Sequence, residues 1–332
     1  MRSLLLLFFL TRVVEAQVRG RVVSAESGQP LGFSIVTLHP NVARQFTDGA
    51  GAFAFGETKP GTYLLSVRQI GYTPLDTQIV VSADTTQLRI ALRHLAIELP
   101  PVTVTAPRCT RPGRPDSSDA ALLAVFDQLQ ENARRFELLA DSYPFRYQLE
   151  RTFRTVNQRG DTGRPRVETI RLASSDMRPY AVGRVVEPGW GPWSSSELLV
   201  RTTELQEFAN AEFISHHCFR LVGRDTIGDE TLVRIDFEPS TRLTTTDLSG
   251  SAYLDSLTFE LRYTMTSLTH PEWSELSDHR TMTARTRFRT IAQGVPLEDW
   301  MIATTTYPYN RRVLIETHRV LDVSFRRQPP PP

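Results

Sequence analysis

Thr47-Asp48-Gly49-Ala50-Gly51-Ala52-Phe53-Ala54-Phe55, followed by Pro60-Gly61-Thr62-Tyr63-Leu64-Leu65-Ser66-Val67 and closed by Ile70-Gly71-Tyr72, decides the fold of the first part of the chain. Asp48 and Gly49 are turn formers, and Gly51 can take the positive φ of a bulged hairpin, so Phe53 and Phe55 re-enter a sheet on one face. Pro60-Gly61 is a second turn, after which Tyr63, Leu65 and Val67 alternate onto the same side.

Outward from this stretch, Gly20-Arg21-Val22-Val23 precedes it, and Gly28-Gln29-Pro30-Leu31 leads into Ser34-Ile35-Val36-Thr37-Leu38. Thr77–Val81 and Gln87–Leu92 follow it and complete the strand count of a sandwich. Together these segments, over residues 17–106, resemble a carboxypeptidase regulatory-like domain. The resemblance implies a seven-stranded transthyretin-like (prealbumin-like) β-sandwich that serves as an accessory module without catalytic residues of its own. The exit segment Leu99-Pro100-Pro101-Val102-Thr103-Val104-Thr105-Ala106 is similar to one that follows such domains in outer-membrane receptors driven by an energising partner. Too few residues remain after Ala106 for a plug and a barrel of about 22 strands, so the likeness stops at the domain and its exit strand.

The chain has 332 residues, 40% of them hydrophobic and 23% charged, which suffices for two domains with separate cores. A formal net charge of +1 argues against a nucleic-acid partner, which demands a basic excess or a dense basic patch. Lys59 is the only lysine, so nearly all positive charge is guanidinium, the group that pairs bidentately with carboxylates and phosphates. Residues 1–16 read as an export signal: Arg2, the apolar run Leu4–Leu10, and the exit Val14-Glu15-Ala16. A membrane-spanning helix would need about 20 apolar residues, so no transmembrane segment is expected in the mature chain. The expected location is the periplasm or the outer membrane of a bacterial envelope.

Residues 107–118, with Pro112, Gly113 and Pro115, read as a Pro-rich linker that delivers the chain to Ser118-Asp119, suitable N-cap residues. Leu122, Phe126, Leu129, Ala133, Phe136 and Ala140 then recur at helical spacing over 119–141, with Asp127, Gln130, Glu131 and Arg134 on other faces. From Phe145 onward the period is two, in segments 147–156, 167–172, 231–237, 257–268, 282–291 and 313–325. In 257–268 the apolar set reads Leu257, Phe259, Leu261, Tyr263 and Met265. The pattern predicts a helix laid on a large, mostly antiparallel curved sheet over 119–326, with a Pro-rich tail at 327–332. The fold class is therefore mainly β, a sandwich followed by an α+β domain. By order and spacing, the second region is similar to the half-barrel sheets of periplasmic lipoprotein-carrier proteins.

Catalytic signatures do not appear: there is no His-x-x-Glu, no Gly-x-Ser-x-Gly and no phosphate loop, and no enzymatic activity or cofactor is expected. His216-His217-Cys218 has metal-ligand residue types, but on a strand only His216 and Cys218 would share a face, and no second ligand pair lies at a recognisable spacing. Cys109 and Cys218 are either free or, in an oxidising compartment, joined by a disulfide. Arg285, Arg287 and Arg289, with Arg280 upstream, form a row spaced about 7 Å apart, either facing an anionic surface or paired across strands with carboxylates such as Glu260. Trp190 and Trp193 flank a Gly-Pro turn and either grip a sugar or partner or fold back on the core. Two functions stay open: an interaction scaffold meeting an envelope protein, glycan or lipid, and a carrier holding an acyl chain between sheet and helix.

Overall fold

The computed structural model describes residues 16–40, 43–97, 108–157, 159–160, 162–188, 198–273, 280–292, 295–307 and 312–327. Residues 1–15 of the expected export signal, the exit segment at 99–106, Trp190, Trp193 and most of the Pro-rich tail lie outside the described residues, whereas Ala16, read as the last residue of the signal, already belongs to the first strand. The chain divides into two compact units, one ending at His94 and the other beginning at Leu95.

The first unit is the seven-stranded sandwich. Its strands are β1 (Ala16–Ser24), β2 (Ile35–His39), β3 (Ala43–Phe46), β4 (Ala52–Thr58), β5 (Gly61–Arg68), β6 (Leu75–Val81) and β7 (Thr86–Leu92). They form one sheet in the order β4-β1-β7 and another in the order β3-β2-β5-β6. The turn before β4 closes because the Asp48 carboxylate accepts from the Ala52 amide at 2.8 Å and the Asp48 carbonyl from the Gly51 amide at 2.9 Å. Gly51 sits at φ +72°, where a Cβ would lie 2.4 Å from the Val22 carbonyl oxygen, so no other residue fits. Phe53, Phe55, Tyr63, Leu65 and Val67 all enter a core shared with Val18, Val22 and Val36.

The second unit begins with residues 108–118 and helix α1 (Ala120–Ser142), which Asp119 caps by accepting from the Leu122 amide. Strands β8 (Phe145–Val156) and β9 (Arg166–Ala173) follow, then the short pair β10 (Val186–Pro188) and β11 (Leu198–Val200) and helix α2 (Ala211–His216). The chain then runs back and forth through β12 (His217–Ile227), β13 (Glu230–Pro239), β14 (Asp247–Asp255), β15 (Leu261–Thr269), β16 (Thr281–Ala292), β17 (Val295–Tyr307) and β18 (Arg312–Phe325). The nine-stranded sheet has the order β12-β13-β14-β15-β16-β17-β18-β8-β9, antiparallel throughout. Because β18 returns to pair with β8, residues 174–216 must carry the chain from one sheet edge to the other.

Helix α1 covers the inner face. Phe126 meets Phe219 of β12 at 4.6 Å between ring centroids, and Phe136 meets Phe145 of β8 at 6.1 Å. Between them, Asn132 donates to the Phe259 carbonyl and accepts from the Leu261 amide, both at 2.9 Å. The expected stripe is buried, but so are Gln130 and Glu131, which the periodicity places on other faces. The 3₁₀ turn Leu205–Ala209 also packs against the helix, and Glu131 is turned to the fully buried Arg135 at 3.2 Å.

The strand expected over 257–268 begins later, at Leu261. The Asp255 carboxylate accepts from the Leu257 and Thr258 amides and sets a turn, and Phe259 takes φ +57° at its end. Leu257 is consequently 73% exposed, whereas Phe259 and Leu261 are buried. A bulge opposite Tyr253 and Leu254 shifts the alternation that follows, so Leu261, Thr264, Thr266 and Leu268 are buried while Tyr263 and Met265 are half-buried.

Ionic contacts tie β8, β17 and β18 together. Arg151 meets Glu316 at 2.6 Å and Glu168 at 3.1 Å, and His318 Nε2 lies 2.7 Å from Glu316. Burial raises the Glu316 carboxyl, but the hydrogen bond from His318 and the charges of His318 and Arg151 outweigh it and bring it down to about 2. Burial opposes protonation of His318, while Glu298 and Glu316 prevail and hold it above its ordinary value of 6.5. Glu316 therefore stabilises the fold fully above its ordinary value of 4.5 and progressively less as pH falls towards 2. The contribution of His318 is complete below 6.5 and is lost as pH rises through its raised value.

Glu316→Gln should lower the urea midpoint most near pH 5.5, with the difference from wild type shrinking at about pH 3. An equal loss at both pH values would show that Glu316 acts through packing alone. Phe126→Ala should cost about 3–5 kcal/mol in chemical denaturation, the usual penalty for an aromatic lost from a packed core. Leu257→Ala should stay within about 0.5 kcal/mol of wild type.

Candidate binding cleft

Within the second unit, residues 108–118 lie against the first residues of β12, an edge strand of the sheet. Cys109 and Cys218 are joined in a disulfide with their Cα atoms 5.5 Å apart. The Cys109 carbonyl accepts from the Thr241 amide at 2.9 Å and from its hydroxyl at 3.1 Å. Gly113 donates to the His217 carbonyl at 2.9 Å, and Arg114 meets Asp127 of α1 at 2.6 Å. A segment that reads as a linker by composition is thus held at four points.

This segment forms one wall of an open cleft of about 1140 Å³. The floor comes from β12, β13 and β14, where Arg220, Asp236 and Ser251 are cross-strand neighbours. The Asp236 carboxylate accepts from Arg220 Nη2 at 2.6 Å, Arg234 Nε at 2.7 Å and the Ser251 hydroxyl at 2.7 Å. On the other side stand His270 and Trp273, whose rings stack at 3.7 Å and 9°. His270 has φ +48°, and its carbonyl accepts from the Thr246 hydroxyl at 2.8 Å and the Trp273 amide at 3.0 Å.

The arginine row has partners. Arg285 lies over the Tyr263 ring at 4.9 Å and Arg280 over Tyr307 at 4.8 Å. Arg287 and Arg289 share the carboxylate of Asp299, which stands in the β-bulge of β17 opposite Arg287 and Phe288. The carboxylate partner of these two residues is Asp299 rather than Glu260, which lies 3.9 Å from Arg262.

The three residues of His216-His217-Cys218 part company. His216 ends α2, where its Nδ1 lies 2.7 Å from the Glu212 carbonyl. His217 opens β12 fully buried, stacked on Phe213 at 3.9 Å, with its two ring nitrogens 2.8 and 3.0 Å from the carbonyls of Phe213 and Leu248. Cys218 is consumed by the disulfide. Among the described residues, no group of three or more His, Cys, Asp or Glu is placed to hold a metal ion.

Sequence reading missed His270, Trp273 and the Arg220–Asp236–Arg234 cluster. Arg234 and Asp236 stand two apart on a strand and so share a face, and His270-Pro271-Glu272-Trp273 sets two rings around a proline turn. Either signal was available, but neither identifies which strands lie side by side.

Among curated proteins none matches the chain. A pilus 2b backbone protein of group B streptococcus is 12% identical over 24% of this chain and 40% of its own length, with a TM-score of 0.20. This chain thus spans less than half of that protein. A LolA superfamily protein from Nitrosomonas europaea is 13% identical over 61% of this chain and 94% of its own, with a TM-score of 0.29. A DUF1329 family protein from Desulfovibrio piger is 10% identical over 62% and 93%, with a TM-score of 0.33. Scores this low leave function open. Among the described residues no helix is long and apolar enough to cross a membrane. Residues 17–93 match the family model of the carboxypeptidase regulatory-like domain, over the same strands whose turns and alternation point to that sandwich.

Proposed function

We propose that the chain is a non-catalytic, exported protein of a bacterial envelope. Its regulatory-like sandwich serves as an interaction module, and its second unit is a binding domain whose ligand-facing surface is the cleft beside residues 108–118. The observation that carries this reading is the Cys109–Cys218 disulfide. A disulfide belongs to an oxidising compartment, in keeping with the export signal read at residues 1–16. It also fixes one wall of the cleft, converting a Pro-rich stretch into a rigid rim.

The carrier alternative needs an open space between α1 and the sheet. That interface is closed at the β12 end by Phe126 and Phe219, in the middle by Asn132, and at the β8 end by Phe136 and Phe145. These contacts favour binding on the outside of the sheet over a buried acyl chain.

Thiol titration of the unreduced, denatured protein recovered from a periplasmic extract should find no reactive thiol, and two would overturn the reading. The paired Cys109→Ser and Cys218→Ser substitution opens a loop of 109 residues and should cost about 2–4 kcal/mol. Mass spectrometry of a solvent extract of the natively purified protein should find no fatty-acyl lipid at stoichiometric level. Stoichiometric lipid would promote the carrier alternative.

A further inference from the structure

The His270–Trp273 pair is costly in two ways. Trp273 is 46% exposed, so a large apolar ring is left in water on the rim of the cleft. His270 holds a left-handed backbone conformation that disfavours any side chain and persists only where surrounding contacts over-determine it. Here they do: the Thr246 hydroxyl and the Trp273 amide hold its carbonyl, and Glu272 lies 3.0 Å from its Nδ1. The result is an exposed indole with the imidazole stacked on one face of the ring.

The floor has a different character. Arg220 and Arg234 converge on Asp236, which also accepts from Ser251, and Arg234 reaches Asp225 at 3.4 Å, so two guanidiniums and two carboxylates set donors and acceptors side by side with their charges largely cancelled. An anionic headgroup or phosphate would have to compete with a carboxylate already seated between the two guanidiniums. A bare acyl chain would strip water from these groups without replacing their hydrogen bonds.

From these features, and resting on the reading of the cleft as a binding surface, we infer that it takes a neutral oligosaccharide. A pyranose ring has a flat C–H face suited to an indole and a rim of hydroxyls that both donate and accept. At about 1140 Å³ the cleft exceeds the usual range for a single small ligand, roughly 300–1,000 Å³, which suits several linked sugars.

The test uses the full chain, with maltotetraose, cellotetraose and chitotetraose as probes and tetragalacturonate as the anionic control, by isothermal titration and saturation-transfer NMR. At least one neutral tetrasaccharide should bind with Kd below about 1 mM. Trp273→Ala should weaken it by about tenfold or more, and Trp273→Phe should recover most of the loss, with circular dichroism unchanged in both. Absence of binding by all three neutral probes overturns the inference, as does affinity that Trp273→Ala leaves intact. Tighter binding of tetragalacturonate that depends on Trp273 also overturns it, while leaving the cleft as a binding surface. The thiol titration reports on the exported-protein reading independently of any sugar.

Discussion

A nine-stranded antiparallel sheet with one apolar face must have that face covered, and the second unit is built around this requirement. At about 4.8 Å per strand the face is roughly 40 Å across. A helix of 23 residues is about 35 Å long but only about 10 Å wide, so α1 cannot cover it alone. The connection from β9 to β12 supplies the rest. It must cross from one edge to the other in any case, and on the way it lays Val185, Val186 and Val200 against Leu248, Leu268, Met282 and Met301. It also packs the turn Leu205–Ala209 onto α1. Asn132 fixes where the helix sits, since its amide serves the backbone on both sides of Glu260. Leaving either of those buried groups unpaired would cost about 1–3 kcal/mol, which is specificity that apolar packing alone lacks.

Two edges remain, and they are handled differently. Among the described residues β9 pairs with β8 only, and its Arg166, Glu168 and Arg171 put charge along an edge that would otherwise invite another strand. β12 is the other edge, and the chain places residues 108–118 beside its first residues and locks them there with Cys109 and Cys218. Guarding that edge and building a rim for the cleft are therefore one structural act. The covalent bond matters because the segment contributes little burial of its own: apart from Cys109 its described residues are half-buried or exposed.

Six of the seven strands of the sandwich were legible, because its turns are set by Asp48 and Gly51 and its core by alternation, both local features, whereas β3, with only Phe46 buried, carries no such signal. The helix was legible in its stripe and its Asp119 cap, but not in the burial of Gln130 and Glu131, where the folded-back segment 108–118 brings Arg114 to Gln130 and the buried Arg135 turns to Glu131. Strand β15 was misplaced at its start for a comparable reason. Leu257 fits the alternation in sequence, yet the Asp255 carboxylate captures two amides and bends the chain before the strand begins. The cleft could not be read at all, since it needs β12, β13 and β14 side by side and residues 108–118 folded back on them. Composition marks that last segment as a linker, and its contacts with Cys218, His217, Thr241 and Asp127 make it a wall.

The outer side of the sheet explains how a chain with one lysine can carry so many guanidiniums in water without becoming a general anion trap. Arg220 and Arg234 share Asp236, Arg287 and Arg289 share Asp299, and Arg285 lies over Tyr263. Each partner is planar or bidentate, which suits arginine and would not suit lysine. These contacts leave short-range hydrogen-bonding capacity, and over the whole chain 38 Lys and Arg against 37 Asp and Glu leave a formal net charge of only +1 and so little long-range field. On such a surface a ligand is selected by the geometry of its donors and acceptors and by the shape it offers to an exposed ring. Salt, which screens charge beyond about 10 Å at 0.1 M, should then matter less to recognition than the orientation of a few fixed planes.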